Sequence, residues 1–582
     1  NPDLVADAKK IEQLSFSEAN ELANFGATIL HAKTIIPLLE KNISLRILNT
    51  FNKKDTGTLI TATSSEKGIK SISTISNVSL LNFEGRGLLG KVGVDARIFR
   101  VLSDKNINVS IVSQGSSERG IGLIIESNRA LEAVLALEKE FENDFYSRDV
   151  HQISIIENVA VISIIGQDLS EFHLPYNALI KNQIIPVLFN NTVTGKNVSL
   201  VVKKDELHKA VNVIHGQVFG VAKKINIAIF GKGLVGGTLI NQILENTASV
   251  LERRKIQLTV FAVANSKKVL LHKNGVSKNW EQDLALLNED SSSITAVIEF
   301  AKNHHLENLI AVDNTASSSF VENYIPLVAA GFDLVSSNKI ANTLSFDFYK
   351  ELRTQLKAFK KQYLYETNVG AGLPLIDAIG LLHESGENIT KIRGVFSGSL
   401  SYLFNTFSEE DRLFSEVLKD AIAKGFTEPD AREDLGGNDV ARKLLILARE
   451  LELENELTDV QIQNLIPKKL RDGTITDFLT NLDPMNAEYQ QLKDRQEQHH
   501  VLRYIGELSG DLSQQTGDLE VKLVSVPKSS PLGSLKGSDV IFEIYTKSYG
   551  EQPIVIQGAG AGAKVTARGV FGDILRLAKQ NN

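Results

Sequence analysis

The chain has 582 residues, 42% of them hydrophobic and 23% charged, a composition typical of a soluble globular protein. Its length exceeds a single core and predicts about three to five domains. The absence of cysteine excludes disulfides, a thiolate nucleophile and a cysteine-based zinc site. A net charge of -7 without a basic block argues against general nucleic-acid binding.

No apolar run in the sequence approaches the roughly 18 residues that span a bilayer, which argues against a membrane segment. The first residues also lack the basic and then apolar pattern of a secretion signal. These features lead us to expect a cytoplasmic protein.

Residues 1–70 predict a helix over residues 18–30 and an extended segment over residues 45–49. The region is too short for an ordinary catalytic core, and the chain opens without a methionine. We therefore expect it to be the C-terminal remnant of a larger domain in a truncated chain.

Residues 71–222 contain a weak internal repeat. The order strand, helix, strand, strand and helix occurs in residues 71–152 and again in residues 153–222. It predicts two small α+β units of the ferredoxin-like kind, which pair their sheets and bind ligands at a shared edge. A spacer or a dimerisation module is the alternative, because repetition alone does not distinguish them.

The run from Ile227 to Gly237 joins an apolar strand to a glycine turn and a helix. Gly231, Gly233 and Gly236 fit the pattern G-x-G-x-x-G, with Leu234 and Val235 between the last two. In a dinucleotide-binding unit the first glycine permits the tight turn, the second lets the backbone approach a pyrophosphate, and the third allows close packing of helix and strand.

Strands and helices alternate after this turn, which predicts a parallel sheet with helices on both faces. We expect a Rossmann nucleotide-binding domain over residues 223–361, to which the chain returns over residues 541–582. Residues 362–540 would form an α+β substrate and dimerisation domain. The predicted fold class is therefore multidomain, combining α/β and α+β parts behind two regulatory units.

The end of the second Rossmann strand indicates which cofactor is bound. Where an acidic residue normally takes the ribose 2'-hydroxyl, this chain offers Asn265, Ser266, Lys267 and Lys268. Without a carboxylate to repel a 2'-phosphate, NADP(H) is expected to be preferred or accepted, and NAD(H) is possible. A solvated lysine pair is the alternative.

Residues 428–443 form the densest polar stretch of the chain. Asp439 and Lys443 are four residues apart and share a helix face. Such a pair is often only a surface ion pair, but Glu428 and Asp434 lie close in sequence. The acidic groups could hold an ammonium, and the lysine could polarise a carbonyl or move a proton.

Glu366 stands beside the glycine-containing turn of residues 367–374. The turn's carbonyl oxygens and the carboxylate are ligands that hard cations take, although an ordinary strand-to-helix turn is the alternative. The adjacent histidine pairs at residues 304–305 and 499–500 have no further partners at ligand spacing and predict no transition-metal site.

Residues 224–577 closely resemble the homoserine dehydrogenase family. The segments that carry the resemblance are the Gly231 motif, Asp313–Ser317, Ser337–Lys339, Glu366–Pro374, Gly425–Lys443, Gly558–Gly562 and Val565–Ala567. The resemblance implies NAD(P)-linked, reversible conversion of L-homoserine and L-aspartate 4-semialdehyde, within the pathway to threonine and methionine.

The resemblance also implies roles for single residues. Lys339 and Lys443 would be the proton-transfer candidates, with Asp439 in positioning or relay. Glu428 and Asp434 would hold the substrate's amino group. The remaining implied contacts are Asn314, Thr315 and Lys339 near the nicotinamide and the substrate, Gly560 closing on the cofactor, and Glu366 with the carbonyls of Val369, Ala371 and Leu373 around a structural sodium ion.

Residues 1–220 resemble the end of an aspartokinase followed by paired ACT regulatory units. The matching segments are Phe25–Thr34, Asn49–Asn52, Gly57–Thr58, Gly85–Gly90 and Ser113–Glu118. The whole chain thus resembles the bifunctional aspartokinase-homoserine dehydrogenase family, and a homo-oligomer, dimer or tetramer, is implied. Because the kinase's phosphate-binding motifs are missing from this sequence, this polypeptide is not expected to phosphorylate aspartate.

Gln114 is the candidate for binding an amino-acid effector such as threonine. The corresponding turn of the second unit reads Phe189–Gly195 and departs from the family pattern, so its effector site is doubtful. Two alternatives to this function remain, namely another Rossmann amino-acid or semialdehyde dehydrogenase and a cofactor-sensing regulatory protein. The presence of Lys339, Asp439 and Lys443 argues against a pure sensor.

Overall fold

The computed structural model of the chain describes residues 4–5, 8–26, 29–52, 54–63, 68–86, 92–114, 120–166, 172–193, 195–219, 222–288 and 294–580. These residues form two compact units, one of residues 1–224 with 305–307 and one of residues 225–304 with 308–582. No described helix is both long enough and apolar enough to cross a membrane.

The first unit opens with a small three-stranded sheet and two helices. The predicted helix begins earlier than expected, because the Ser15 side chain accepts a hydrogen bond from the Glu18 N–H and the Glu18 carboxylate accepts one from the Ser15 N–H. The elements are β1 (Gln13–Ser15), α1 (Phe16–Asn24), α2 (Ala32–Lys41), β2 (Leu45–Ile47) and β3 (Thr58–Thr61), in the sheet order β1-β3-β2.

The twofold repeat of strand, helix, strand, strand and helix is present in the structure. All six of its strands form one sheet in the order β5-β6-β4-β7-β9-β8. The elements are β4 (Ile69–Glu84), α3 (Val94–Asp104), β5 (Val109–Gln114), β6 (Gly120–Glu126), α4 (Ala130–Glu140), α5 (Glu142–Tyr146), β7 (Gln152–Gly166), α6 (His173–Lys181), β8 (Leu188–Asn191), β9 (Asn197–Lys203) and α7 (Leu207–Val218).

The two long central strands belong to both halves of this sheet. The first half of β4 pairs with the end of β7, as in Ile72 with Ile164, and the second half pairs with its beginning, as in Phe83 with Ile153. The sequence predicted two separate units that meet at residues 152 and 153. The pairing corrects this expectation, because each half borrows its fourth strand from the other.

Apolar residues alternate between the two faces of this sheet. One face packs under the helices, with Leu81 and Leu123 beneath α3 and α4 and Ile162 beneath α6 and α7. The opposite face carries a second buried cluster that includes Ile124 and Val161. Both faces are thus covered, as continuous apolar strands require.

The second unit begins with the predicted Rossmann domain. Its sheet has the order β12-β11-β10-β13-β14-β15, in which β10, β13, β14 and β15 are parallel. The elements are β10 (Lys223–Phe230), α8 (Leu234–Arg254), β11 (Ile256–Ala264), β12 (Val269–Leu271), α9 (Trp280–Ala285), α10 (Ile294–Asn303), β13 (Leu309–Asp313), α11 (Ser318–Val321), α12 (Tyr324–Ala329), β14 (Phe332–Ser336), α13 (Phe346–Phe359) and β15 (Tyr363–Leu364).

The strand order places the ligand crevice. The chain passes from β10 to β11 on one side and returns to β13 on the other side, so the order reverses at the carboxyl end of β10. Ligands of open α/β sheets bind at this switch point. The glycine turn of residues 231–236 follows β10 and lies there.

The second unit contains a further six-stranded sheet, which belongs to the substrate domain and has the order β17-β19-β18-β16-β20-β21. This sheet is antiparallel except for the pair β17 and β19. The elements are α14 (Leu375–Glu384), β16 (Ile389–Val395), α15 (Gly398–Glu409), α16 (Phe414–Ala423), α17 (Ala431–Leu435), α18 (Asn438–Glu450), β17 (Gln461–Ile462), α19 (Ile475–Thr480), α20 (Asp483–Asp494), β18 (His500–Ser509), β19 (Asp518–Pro527), β20 (Asp539–Thr546), β21 (Ile554–Ala559) and α21 (Ala563–Gln580).

Two predicted domain boundaries are wrong at the level of single strands. β15 was assigned to the substrate domain but is the last strand of the nucleotide sheet. Residues 541–546 of β20 and the whole of β21 fall in the predicted nucleotide domain but pair in the sheet of the substrate domain. Only α21 returns, where Phe571 and Ile574 join the core of the nucleotide domain.

Candidate active site

The glycine turn after β10 requires two of its glycines for steric reasons. Gly231 has a φ of +89°, and a Cβ there would lie 2.7 Å from the Asn314 carbonyl. A Cβ at Gly236 would collide with the Gly231 carbonyl oxygen. These glycines therefore let the turn close against both the helix and the neighbouring strand.

Gly233 plays a different part in the turn. A Cβ at this position would meet no atom of the described residues within 4 Å, so it faces open space. It caps α8 without a side chain and leaves the first N–H groups of a 21-residue helix for a ligand. Leu234 is 80% exposed beside them, whereas Val235 packs against the core.

A cleft of about 630 Å³ extends from this turn. Its lining includes Phe230, Gly231, Ala264, Asn265, Ser266, Ile294, Thr295, Thr315, Ser317, Ser319, Phe320 and Asn323. The open cradle at Gly233 and the free helix terminus fit the pyrophosphate of a dinucleotide.

The end of β11 forms a tight turn at the rim of the cleft. The Asn265 Oδ1 accepts the backbone N–H groups of Lys267 and Lys268, each at 2.8 Å. The Lys268 Nζ donates to the Ala285 carbonyl at 2.7 Å. Lys267 is exposed at this rim and is the candidate for a 2'-phosphate.

A buried network that sequence reasoning missed supports the floor of the cleft. Asp313 accepts hydrogen bonds from the Thr315 backbone at 2.7 Å, the Tyr324 hydroxyl at 2.8 Å and the Asn338 amide at 3.1 Å. The Ser336 hydroxyl lies 2.8 Å from the Tyr324 hydroxyl. Burial raises the pKa of Asp313, and these hydrogen bonds oppose that rise.

This network connects the cofactor cleft to a lysine. The Asn338 amide also donates to the Ser317 carbonyl at 3.1 Å, and its own oxygen accepts the Ile340 N–H at 3.1 Å. Lys339 lies between these two anchored residues. The Asn338 side chain therefore orients both the residues that line the cleft and the backbone that carries Lys339.

Lys339, Asp439 and Lys443 come together at the N-terminal end of α18. The Asp439 carboxylate lies 2.7 Å from the Lys443 Nζ through one oxygen and 3.6 Å from the Lys339 Nζ through the other. The Lys443 Nζ also donates to the Phe396 carbonyl at 2.8 Å. The Lys443 side chain is only 11% exposed, whereas the Asp439 side chain is 48% exposed, so the pair lies half-buried at the edge of the site.

The pKa values of Lys339 and Asp439 are lowered for different reasons. Burial lowers the pKa of Lys339, Asp439 opposes that shift, and Lys443 adds to it. Burial would raise the pKa of Asp439, but the two ammonium groups outweigh it and hold this pKa well below its usual range. The cluster thus keeps one carboxylate ionised between two lysines.

Glu428 and Asp434 form the acidic side of the same site. The Glu428 N–H donates to the Asp434 Oδ2 at 2.8 Å. Burial, followed by the repulsion of Asp434, raises the pKa of Glu428. Burial also raises the pKa of Asp434, while hydrogen bonds from Glu428 and Ser399 oppose it. A ligand ammonium would relieve this repulsion, and Ser399 is a contact that the sequence did not reveal.

The loop that contains Gly560 lies beside this cluster. A Cβ at Gly560 would collide with the Val540 side chain, so the loop packs closely on β20. The next residue, Ala561, lies 3.8 Å from the position of a Cβ at Gly398. Gly398 starts α15 two residues after Phe396, whose carbonyl binds Lys443, and the loop thus borders the cluster.

The Glu366 turn is a compact, buried structure. The Glu366 carboxylate accepts the Ile376 N–H at 2.7 Å and the Asp377 N–H at 3.1 Å. Burial and the neighbouring carboxylates of Asp377 and Asp573 raise the pKa of Glu366 to about 8. Among the described residues no group of three or more His, Cys, Asp or Glu side chains could hold a metal ion.

The backbone of this turn reverses at Gly370 and Ala371, whose φ angles are +76° and +55°. The Leu373 carbonyl accepts the Leu375 N–H at 2.9 Å. Val369 is buried. A cation here would depend on carbonyl oxygens and a single carboxylate, which is a donor set that suits sodium more than a transition metal.

Gln114 ends β5 and is exposed. The rest of the predicted effector turn, residues 115–119, lies outside the described residues, as do residues 87–90 of the other ACT segment. Phe189, in the second half of the regulatory sheet, lies on β8 and packs against Phe172 and Tyr176.

Family models match three parts of the chain. The model described as homoserine dehydrogenase, NAD binding domain, covers residues 231–366, the one described as homoserine dehydrogenase covers residues 374–575, and an ACT domain model covers residues 81–141. A Haemophilus influenzae protein named bifunctional aspartokinase/homoserine dehydrogenase is 36% identical over 585 residues, which are 99% of this chain and 71% of that protein. The chain belongs to this bifunctional family.

A plant protein and a solved structure are also similar to this chain. A chloroplastic bifunctional aspartokinase/homoserine dehydrogenase of Arabidopsis thaliana is 35% identical, and the match covers 99% of this chain and 64% of the plant protein. A crystal structure of a Candida auris protein of unknown function is 33% identical, with a TM-score of 0.56, and covers 62% of this chain and 99% of that one.

The comparisons confirm the predicted family, the nucleotide-binding and regulatory fold, and the oxidoreductase class. The chain carries the homoserine dehydrogenase domains and an ACT domain, and it spans about two thirds of the length of these bifunctional relatives.

Proposed function

We propose that this chain catalyses the reversible, NADP(H)-linked interconversion of L-homoserine and L-aspartate 4-semialdehyde at the cluster of Lys339, Asp439 and Lys443. The observation that carries the proposal is the single carboxylate held 2.7 Å and 3.6 Å from two lysine amines beside a dinucleotide cleft. A cofactor sensor has no need of such a group.

Each residue has a task in oxidising a primary alcohol. When bound, the dinucleotide supplies the ring that accepts the hydride from the carbinol carbon. Lys443, oriented by Asp439 and the Phe396 carbonyl, directs its remaining N–H toward the substrate oxygen and stabilises the charge that develops there. Lys339, whose pKa burial lowers, takes the hydroxyl proton.

The acidic side of the site selects an amino acid. Glu428 and Asp434 would bind the ammonium of homoserine, because a positive charge offsets their mutual repulsion. Thr315 lines the cleft and Asn314 lies against the glycine turn, so both would border the nicotinamide.

NADP(H) is the proposed physiological cofactor, with NAD(H) as a weaker one. The support is the absence of a carboxylate after β11 and the presence of exposed Lys267 there. Steady-state kinetics with each cofactor test this choice, and a strong preference for NAD(H) would contradict it.

A sodium ion is proposed at Glu366, with the carbonyls of Val369, Ala371 and Leu373 as its other ligands. The buried carboxylate and the reversed backbone at Ala371 fit such an ion. Thermal melting in NaCl and in choline chloride tests it, because a cation that binds only the folded state raises the melting temperature. Glu366→Gln is expected to abolish the difference between the two salts. Equal melting of the wild type in both would contradict the site.

An amino-acid effector such as threonine is proposed to bind near Gln114, and the chain is proposed to act as a homo-oligomer. Calorimetry with each amino acid of the aspartate family tests the first, and light scattering tests the second. No heat with any of these amino acids would favour a purely structural role for the ACT pair.

The decisive experiment measures NADPH formation from NADP⁺ with L-homoserine, and NADPH consumption with aspartate 4-semialdehyde. Turnover in both directions is expected. A folded protein that binds the cofactor but oxidises no homoserine would contradict the proposed function.

A further inference from the structure

Arg449 lies at the opposite end of α18 from the lysine cluster, and its side chain is fully buried. Its guanidinium donates to the Asn342 carbonyl at 2.8 Å and to the Glu456 carboxylate at 3.2 Å. The Arg449 Nε has no hydrogen-bond partner among the described residues, so these contacts of its two Nη groups hold the buried guanidinium in place.

The acceptor, Asn342, belongs to the short helical turn that follows Lys339. Its N–H donates to the Lys339 carbonyl at 3.2 Å. Its side-chain oxygen accepts Arg353 at 3.0 Å, and its amide donates to Asn368 at 3.1 Å. Three residues beyond Lys339, the backbone is therefore held by α18, by α13 and by the segment after β15.

Glu456 links the Arg449 guanidinium to the start of α13. While one of its oxygens accepts Arg449, the other accepts the Phe346 N–H at 2.7 Å, at the first turn of α13. The Tyr349 hydroxyl of α13 also donates to the Arg449 carbonyl at 3.3 Å. The C-terminal end of α18 is thus tied to the segment that leads away from Lys339.

These contacts form a closed path through the active site. It runs from Lys339 to Asn342, across to Arg449, back along about 15 Å of α18 to Asp439, and across to Lys339 again. We infer that Arg449 is a positioning residue, which sets the separation of Lys339 from Asp439 and Lys443. The inference rests on the proposed function of that cluster.

A buried arginine can also be merely structural, and the chain contains a matched example. Arg503 on β18 is as buried as Arg449, and its guanidinium donates to the carbonyls of Leu532 and Gly533 at 2.9 Å and 2.8 Å. Its acceptors are four carbonyls, those of Leu502, Leu532, Gly533 and Leu535, none of which belongs to α18 or to the turn after Lys339. Arg503→Met is therefore the control for loss of a buried guanidinium.

The expected effect follows from the charges around Lys339. The groups that face it are Asp439, Lys443 and Arg442 of α18 and Glu428 of the preceding loop. If the turn after Lys339 is released in Arg449→Met, its amine moves away from Asp439 and loses the attraction that opposes its lowered pKa. Homoserine oxidation requires the unprotonated amine, so the acid limb of the kcat profile moves to lower pH.

The rate falls as well, because a misplacement of about 1 Å can cost on the order of 100-fold in turnover. For Arg449→Met we expect a loss of roughly 10- to 100-fold in kcat, with the KM for NADP⁺ unchanged. Arg449→Lys keeps the charge and one donor and is expected to recover part of the loss. Glu456→Gln, which leaves the Arg449 to Asn342 bond in place, should shift the profile in the same direction by less.

The experiment compares the wild type with Arg449→Met, Arg449→Lys, Glu456→Gln and Arg503→Met, each corrected for the folded fraction from circular dichroism. Arg503→Met is expected to melt lower but to keep the wild-type kcat and pH profile. Glu456→Gln provides the test if Arg449→Met does not fold.

Two outcomes distinguish a failure of this inference from a failure of the proposed function. A wild type that oxidises no homoserine would overturn the proposed function and the inference together. An active wild type, with Arg449 and Glu456 variants that keep its pH profile and lose no more activity than Arg503→Met, would overturn the inference alone.

Discussion

The nucleotide end and the catalytic end of the proposed active site depend on different chemical groups. At the nucleotide end, Gly231, Gly233 and Gly236 shape the backbone, and the ligand meets N–H groups. At the catalytic end, Lys339 and Lys443 are ionisable side chains held by a carboxylate. The first end depends on the space that side chains leave free, whereas the second depends on charges brought together from distant segments. Substitutions should therefore affect binding at one end and rate at the other.

Lys443→Ala is expected to cause the largest effect. Removing a donor that stabilises the charge developing on the substrate oxygen typically costs on the order of 100-fold or more in turnover, while the KM for NADP⁺ should change little. Steady-state kinetics of homoserine oxidation provide the measurement. The control is Lys522→Ala, which removes a lysine that pairs with Glu507 on the second sheet. Near-normal turnover of folded Lys443→Ala would refute the assignment.

Asp439→Asn is expected to lower kcat by roughly tenfold and to change its pH dependence. The carboxylate now opposes the burial that lowers the pKa of Lys339, so its removal lowers that pKa further. Because the amine must be unprotonated to take a proton, the acid limb of the oxidation profile should move to lower pH. An unchanged limb would mean that another group titrates there.

Gly233→Ala tests the nucleotide end. The added methyl group meets only open space in the protein, so folding should be retained, but it would occupy the approach of the pyrophosphate. We expect the KM for NADP⁺ to rise on the order of tenfold, as for lost hydrogen bonds to a charged group, with kcat almost unchanged. Gly216→Ala, which also adds a methyl group in open space but lies on α7, is the matched control. A selective loss of kcat in Gly233→Ala would contradict the division between the two ends.

Lys267→Ala should produce the smallest effect. An exposed ion pair is worth about 0.2–1 kcal/mol, which corresponds to no more than about fivefold. We expect that loss in kcat/KM for NADP⁺ but not for NAD⁺. Lys268→Ala, which removes a bond to the Ala285 carbonyl, should affect both cofactors alike. Equal responses of the two variants would remove Lys267 from cofactor selection.

The same contrast explains what the sequence could predict. The glycine turn was readable because its strand, turn and helix are consecutive. Asp439 and Lys443 were readable as a pair because one helix turn separates them. The sequence did not reveal the hydrogen-bond network of Asp313, Tyr324 and Asn338. These residues come from three segments, and their contact depends on the packing of β13, α12 and the end of β14.

The errors in strand assignment have a similar origin. Residues 553–580 contain a strand, a glycine turn and a helix, a local pattern typical of a Rossmann unit. The strand β21 nevertheless pairs with β20, and only the helix packs on the nucleotide sheet. Local pattern predicts that a strand exists, but the choice between two sheets is made by long-range pairing.

Because β4 and β7 each belong to both halves of the regulatory sheet, the two halves should unfold together. Cutting the chain between residues 152 and 153 would leave the first half of β4 without the partner that it finds in residues 161–166. Neither half could then be excised and kept folded, and both should melt in one cooperative transition. A small molecule that binds one half would protect the amide hydrogens of both from exchange.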